Sequence, residues 1–190
     1  MTAIIVSIAL MIVAVILDQV SKYLVVANMT LHESVELIPG VLHLTYIQND
    51  GAAFGSMDNM RWVFMLLSTV AITGILVYLF WKKPQDKLML SALILIVGGG
   101  IGNMIDRVAL GYVIDFINFC AFPNLWKWIF NVADSCVCVG AGLLMLWLII
   151  DMVREAKKER AKAVAAANEA TDLREPEETD VEADGEHDGN

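Results

Sequence analysis

Cysteine, histidine and, over most of its length, charge are scarce in this chain. Its 190 residues include three cysteines, Cys120, Cys136 and Cys138, and three histidines, His32, His43 and His187. An odd cysteine count leaves no complete disulfide set. No histidine pairs with a cysteine or sits in a Glu-x-x-His pattern, so no metal centre is expected. Cys136 and Cys138, two apart in an apolar run, point in different directions on a helix and read as small packing residues. No Lys or Arg precedes the first apolar stretch and no A-x-A site follows it, which argues against a cleaved signal peptide and for an uncleaved first span. The net charge of −9 belongs to the end of the chain. Residues 164–190 hold ten acids against one base, Arg174. The acidic pI of about 4.7 therefore describes a tail and carries no information about a substrate, and no nucleic acid partner is expected.

Apolar sequence is abundant. The chain is 57% hydrophobic with a mean hydropathy of +0.61, well above an ordinary soluble domain. The apolar residues gather in four blocks, about 4–26, 62–81, 88–105 and 128–150. A helix needs about 20 apolar residues to cross a bilayer, and these blocks are too long and too apolar for the core of a small soluble protein. The expected fold is an all-α integral membrane protein of four transmembrane helices, with a membrane domain over 1–155 and a charged, mostly acidic, disordered tail over 156–190.

Lys and Arg in the short flanks set orientation. The second connector reads Lys82-Lys83-Pro84-Gln85-Asp86-Lys87, and Arg154, Lys157, Lys158, Arg160 and Lys162 follow the last span. Both regions, and with them both termini, are expected in the cytoplasm. Residues 27–61 and 108–127 then face the other side. Trp62, Trp81, Trp126 and Trp128 sit at span edges, as interfacial aromatics do. The first outer segment contains Val41-Leu42-His43-Leu44-Thr45-Tyr46-Ile47 after Pro39-Gly40, which predicts a small extracytoplasmic sheet. The second, residues 115–127, predicts a short interfacial helix.

Ionisable groups in apolar spans are costly and are functional candidates by default. Here they are Asp18, Lys22, Asp106, Arg107 and Asp134, with Asp115 just beyond the third span. All lie toward the outer ends, which points to one site at the outer face. Asp18 and Lys22, four apart, share a helix face and can pair. Asn103 and Arg107 share a face of the third span, and Asn131 and Asp134 one of the fourth. Gly98-Gly99-Gly100 and Gly102 allow helices to approach closely and lack the strand-loop-helix setting of a phosphate loop. Asp115 and Asp134 have no cationic neighbour in sequence. Two carboxylates in a partly dry site do not both ionise easily, so one can keep a proton while its partner activates water. The plainer reading makes Asp115 a loop acid and Asp134 a helix N-terminal cap.

The chain resembles the lipoprotein signal peptidase (signal peptidase II) family over about residues 4–150. The resemblance rests on five segments in order. They are Asp18-Gln19-Val20-Ser21-Lys22, Asn49-Asp50-Gly51-Ala52-Ala53-Phe54-Gly55, the run from Gly98 through Asn103 to Asp106-Arg107, Gly111-Tyr112-Val113-Ile114-Asp115-Phe116, and Phe130-Asn131-Val132-Ala133-Asp134. It implies a membrane aspartic peptidase with Asp115 and Asp134 as the catalytic dyad. It further implies that Asn49, Gly51, Asn103, Arg107, Asn131 and Ala133 line or shape the site, with Asp18 and Lys22 supporting it. The implied partners are diacylglyceryl-modified bacterial prolipoproteins, cut just before the lipidated cysteine, and membrane lipid. Globomycin-type cyclic peptides are the implied inhibitors, and no cofactor is implied. The implied location is the bacterial cytoplasmic membrane, with the site on its outer face. Two other classes fit a polar membrane protein of this size. A proton-coupled transporter would place relay carboxylates near mid-membrane, and a non-enzymatic assembly factor would not need acids combined with Asn and Gly motifs in outer segments.

Overall fold

The computed structural model describes residues 2–51, 61–121 and 128–172, with side chains over 6–51, 62–121 and 128–168. Four helices, α1 (Thr2–Asn28), α2 (Arg61–Lys82), α3 (Lys87–Ala109) and α4 (Val132–Asp172), carry four strands between them, β1 (Ser34–Ile38), β2 (Leu42–Asn49), β3 (Val113–Phe119) and β4 (Ile129–Phe130). All four helices are long and apolar enough to cross a membrane. At 1.5 Å per residue, each exceeds the roughly 30 Å of a hydrocarbon core. The chain forms two compact units, Met1–Trp147 and Leu148–Asn190.

The first unit is inverted relative to a water-soluble protein. Leu17, Tyr23, Trp62, Leu66, Val70 and Phe80 are exposed, while Asp18, Lys22, Asp106 and Asp115 are at most 2% exposed. With lipid as solvent, apolar side chains face outward at no cost and polar groups must find partners inside. Helix α3 is central, packed against both α1 and α2. Asp86 caps its first turn, accepting from the Leu88 and Met89 amides at 2.9 and 3.1 Å. Gly102 is where α3 meets α1 and α4. A Cβ there would lie 2.6 Å from Asp18 Oδ2 and 3.1 Å from the Ala133 Cβ.

The strands form one antiparallel sheet in the order β1-β2-β3-β4. Strands β1 and β2 follow α1, and β3 and β4 join α3 to α4, so the sheet lies at the opposite end of the helices from the α2–α3 connector. Tyr46, Ile114 and Phe116 pack with Val25 of α1, seating one sheet face on the helices. The β2–β3 register runs Leu44↔Ile117 and then Ile47↔Asp115 and Asn49↔Val113. Three steps on β2 thus match two on β3, which is a bulge at Thr45–Tyr46. The extra residue brings Ile47 and Asn49 onto the Asp115 face. In an unbulged strand that face would carry Tyr46 and Gln48.

Three expectations are corrected. Residues 113–119 form a strand, not the start of an interfacial helix, because β2 and β4 supply ladder partners on both sides. The remainder of that expected helix, 122–127, lies outside the described residues, as do 52–55 of the second motif. The fourth helix begins at Val132 and not near Trp128, since Ile129 and Phe130 pair with β3. In the second unit, helix continues to Asp172, through part of the segment expected to be disordered. Its Ala-rich sequence has high helix propensity, and Glu155–Lys158 and Glu159–Lys162 pair at 2.7 and 2.9 Å on its surface. The expected tail from 173 onward lies outside the described residues.

Candidate active site

Asp115 sits mid-strand on β3, and each of its oxygens accepts one side-chain amide. Asn131 Nδ2 donates to Oδ1 at 2.6 Å and Asn49 Nδ2 to Oδ2 at 2.8 Å. Asn49 reaches it because of the β2 bulge, as a diagonal neighbour on the same sheet face. Gly51, with φ at 112°, donates its amide to Asn49 Oδ1 at 3.0 Å and so orients the Asn49 side chain. That backbone conformation favours glycine.

Asp134 lies in the first turn of α4. Asn131 is the N-cap: its Oδ1 accepts from the Asp134 amide at 2.8 Å, while Asp134 Oδ2 accepts from the Asn131 amide at 3.2 Å. This is a capping box with Asn and Asp in place of the usual Ser/Thr and Glu. The other oxygen, Oδ1, accepts from Asn103 Nδ2 of α3 at 2.7 Å. Asp134 therefore both caps its helix and joins the polar cluster. Asn131, fully buried, touches both acids and also donates to Asn103 Oδ1 at 3.0 Å.

The Lys22 ammonium is held by partners other than the two acids. Lys22 Nζ lies 2.8 Å from Asp18 Oδ2, 2.9 Å from Asp106 Oδ2 and 3.0 Å from Asn103 Oδ1. An ammonium has three donors, and all three are engaged. Asp18 Oδ1 accepts the Ala133 amide at 2.8 Å, so a side chain of α1 helps cap α4. Arg107 donates back to the Asn103 carbonyl at 3.4 Å and lies over the Phe64 ring, 6.0 Å from its centroid.

Burial pushes the Asp115 carboxyl up to about 7, and the Asp134 carboxylate adds to that push. The amides of Asn49 and Asn131 and the Lys22 charge pull the other way without cancelling it. A carboxyl poised near neutrality beside a second carboxylate is suited to proton transfer.

The structure brings the sequence-derived residues together. Asp18, Lys22, Asn49, Asn103, Asp115, Asn131, Ala133 and Asp134 form one connected network, Gly51 joins through Asn49, and Arg107 stands at its edge through Asn103. Two further members join this network, Asp106, a candidate by its charge alone, and Gln19, which was not a candidate. Gln19 Nε2 donates to Asp106 Oδ1 at 3.0 Å and to Asp18 Oδ2 at 3.1 Å, and Asp106 Oδ2 accepts the Ile114 amide at 3.1 Å. Asp106 carried a signal, a charge within an apolar span. Gln19, uncharged on a helix edge, carried none beyond its place in the first motif.

A family model described as signal peptidase (SPase) II matches residues 10–150. The chain belongs to the signal peptidase II family. A lipoprotein signal peptidase of Symbiobacterium thermophilum is 49% identical over 148 residues, covering 76% of this chain and 94% of that protein. One from Halalkalibacterium halodurans is 45% identical, covering 78% and 94% respectively. A bacterial membrane enzyme solved by the in meso method at 2.3 Å superposes with a TM-score of 0.71 at 33% identity, covering 77% of this chain and 89% of that one. The signal peptidase II match takes in every residue of the network, from Asp18 to Asp134. As a member of this family the chain is a multi-pass membrane protein and a peptidase.

Proposed function

We infer that the chain is an aspartic endopeptidase that removes signal peptides from diacylglyceryl-modified prolipoproteins, cutting just before the lipidated cysteine, with Asp115 and Asp134 as its dyad. The observation that carries this reading is that both acids are clamped to the same buried asparagine, Asn131, while the Lys22 ammonium is spent on Asp18, Asp106 and Asn103. Among the described residues neither acid forms an ion pair with a Lys or Arg, so the dyad is oriented by amides.

Asp115, with its raised proton affinity, holds the shared proton, and Asp134 is the base. Asp134 takes a proton from a water whose oxygen attacks the scissile carbonyl carbon, while Asp115 passes its proton to the carbonyl oxygen. The tetrahedral diol then collapses. One proton returns to Asp115 from a hydroxyl, Asp134 gives its proton to the departing amine, the C–N bond breaks, and both acids regain their starting states with one water consumed. Asn49, Asn103 and Asn131 hold the carboxylates at fixed angles, and Gly51 and Arg107 shape the edge of the site.

The basic connector between α2 and α3 and the basic residues after residue 150 support cytoplasmic termini and a site on the outer face of the bacterial cytoplasmic membrane. There the acyl chains of a lipidated substrate remain in the bilayer while its peptide bond reaches the dyad. A membrane domain over 1–155 and a tail over 156–190, dispensable beyond Lys162, complete the assignment, and globomycin-type cyclic peptides are expected to compete with substrate.

The test is cleavage of a diacylglyceryl prolipoprotein by purified protein in lipid or detergent. Asp115→Asn and Asp134→Asn should each fold, bind substrate and lose about 100- to 10,000-fold in kcat. Wild-type cleavage by both variants would remove the dyad from the mechanism.

A further inference from the structure

The residue preceding each proposed catalytic acid donates its backbone amide to a different buried carboxylate. Ile114, before Asp115, donates to Asp106 Oδ2 at 3.1 Å, and Ala133, before Asp134, donates to Asp18 Oδ1 at 2.8 Å. Those two carboxylates sit on different helices, α3 and α1, and are joined twice. Lys22 Nζ bridges them at 2.8 and 2.9 Å, and Gln19 Nε2 bridges them again at 3.1 and 3.0 Å. Lys22 also fixes the Asn103 amide, turning its oxygen inward so that its nitrogen faces Asp134.

We propose that Asp106 is a positioning residue. With Asp18, Lys22 and Gln19 it forms a yoke that sets the separation of the two backbone segments carrying Asp115 and Asp134. The proposal rests on the dyad reading above. A strand and a helix bring the two acids from separate elements, and the sheet alone does not fix where β3 stands relative to the start of α4, since β4 is only two residues long. The yoke supplies that constraint through the backbone immediately before each acid. It reaches each acid through the amide of the preceding residue, so it acts on the dyad through geometry.

A buried ion cluster that only stabilises the fold would change melting and leave turnover per folded molecule intact. A yoke predicts a different split. Displacing a reacting group by about 1 Å costs about 100-fold in rate, while substrate binding is unaffected. The experiment measures kcat and KM per folded molecule for the full chain on a diacylglyceryl prolipoprotein, with folded protein quantified by size exclusion and thermal melting. Asp106→Asn should lower kcat by about 10- to 100-fold with KM within about twofold of wild type. Gln19→Ala, a milder and neutral change, should lower kcat less with KM again unchanged. Gln19→Ala combined with Asp106→Asn should be no worse than Asp106→Asn alone, because both act on one device.

A folded Asp106→Asn protein with wild-type kcat overturns the yoke, and so do multiplicative losses in the double variant. If Asp106→Asn does not fold, Gln19→Ala decides, and wild-type kcat there overturns it. Asp115→Asn run in the same assay keeps the two readings apart. Normal cleavage by that variant removes the dyad itself, whereas an inactive Asp115→Asn beside a fully active Asp106→Asn removes only the yoke.

Discussion

At the scale of single residues, Asp115 makes the sharpest prediction. Its carboxyl titrates at about 7 in the folded protein, against an ordinary value of 3.8, chiefly through burial. The folded state therefore holds a proton that the unfolded chain releases near pH 4. The stabilisation linked to that proton is complete below about pH 4 and is lost as pH rises through about 7. Each tenfold difference in proton affinity is worth about 1.4 kcal/mol, so the effect is on the order of a few kcal/mol. The melting temperature of wild type should fall relative to that of Asp115→Asn between about pH 4 and 7. Parallel melting curves across that range would contradict it. Because the mechanism needs Asp115 protonated, kcat/KM should also decline as pH rises through about 7. A profile flat to pH 9 would reassign the proton. These residues were legible in the sequence because a charge in an apolar span has few innocent explanations, and each of the five motifs contributes to the network. Asn131 was legible as a neighbour of Asp134. Its contact with both acids was not, since that depends on where β3 falls.

At the scale of elements, the site is the product of close helix approach and strand register. Gly102→Ala would push a methyl group into Asp18 Oδ2 and the Ala133 side chain. The helices must part or Asp18 must leave the Ala133 amide, so a destabilisation of about 1–3 kcal/mol together with loss of turnover is expected. Chemical denaturation and cleavage measured side by side would show it, and a variant with wild-type values in both would mean the helices separate freely. The four helices were readable from block length alone. Strand β3 was not, because it is an inner strand covered on both faces. Val113, Ile114, Asp115 and Phe116 are all buried, so the alternation that marks a half-exposed strand is missing. Strand β4, with two residues, leaves no pattern to read. The helical extension to Asp172 escaped for the opposite reason. Acidity is a property of the tail as a whole, while the alanines and the paired charges near its start act locally.

At the scale of the whole molecule, the polar network gathers at the sheet end of the helices, and the basic connector lies at the other. With Cys120, Cys136 and Cys138 replaced, Val35→Cys, on the exposed β1, should react with a membrane-impermeant thiol reagent in intact cells. Gln85→Cys, in the connector, should not until the membrane is opened. The reverse pattern would turn the protein over and place its site in the cytoplasm. A chain ending at Lys162 should insert and cleave at the wild-type rate, because every network residue precedes Ser135. Loss of cleavage by an inserted, truncated protein would give the tail a role.

The bulge at Thr45–Tyr46 has an evolutionary consequence. Alternation along a strand makes the identity of the side chain facing Asp115 a matter of parity. A single-residue insertion or deletion between Ile47 and Asn49 exchanges odd for even and swings the amide away from the acid. The same change inside the bulge can be absorbed where an unpaired residue already sits. Length variation in this strand should therefore be tolerated at the bulge and purged between Ile47 and Asn49, even though both stretches belong to the same eight-residue element.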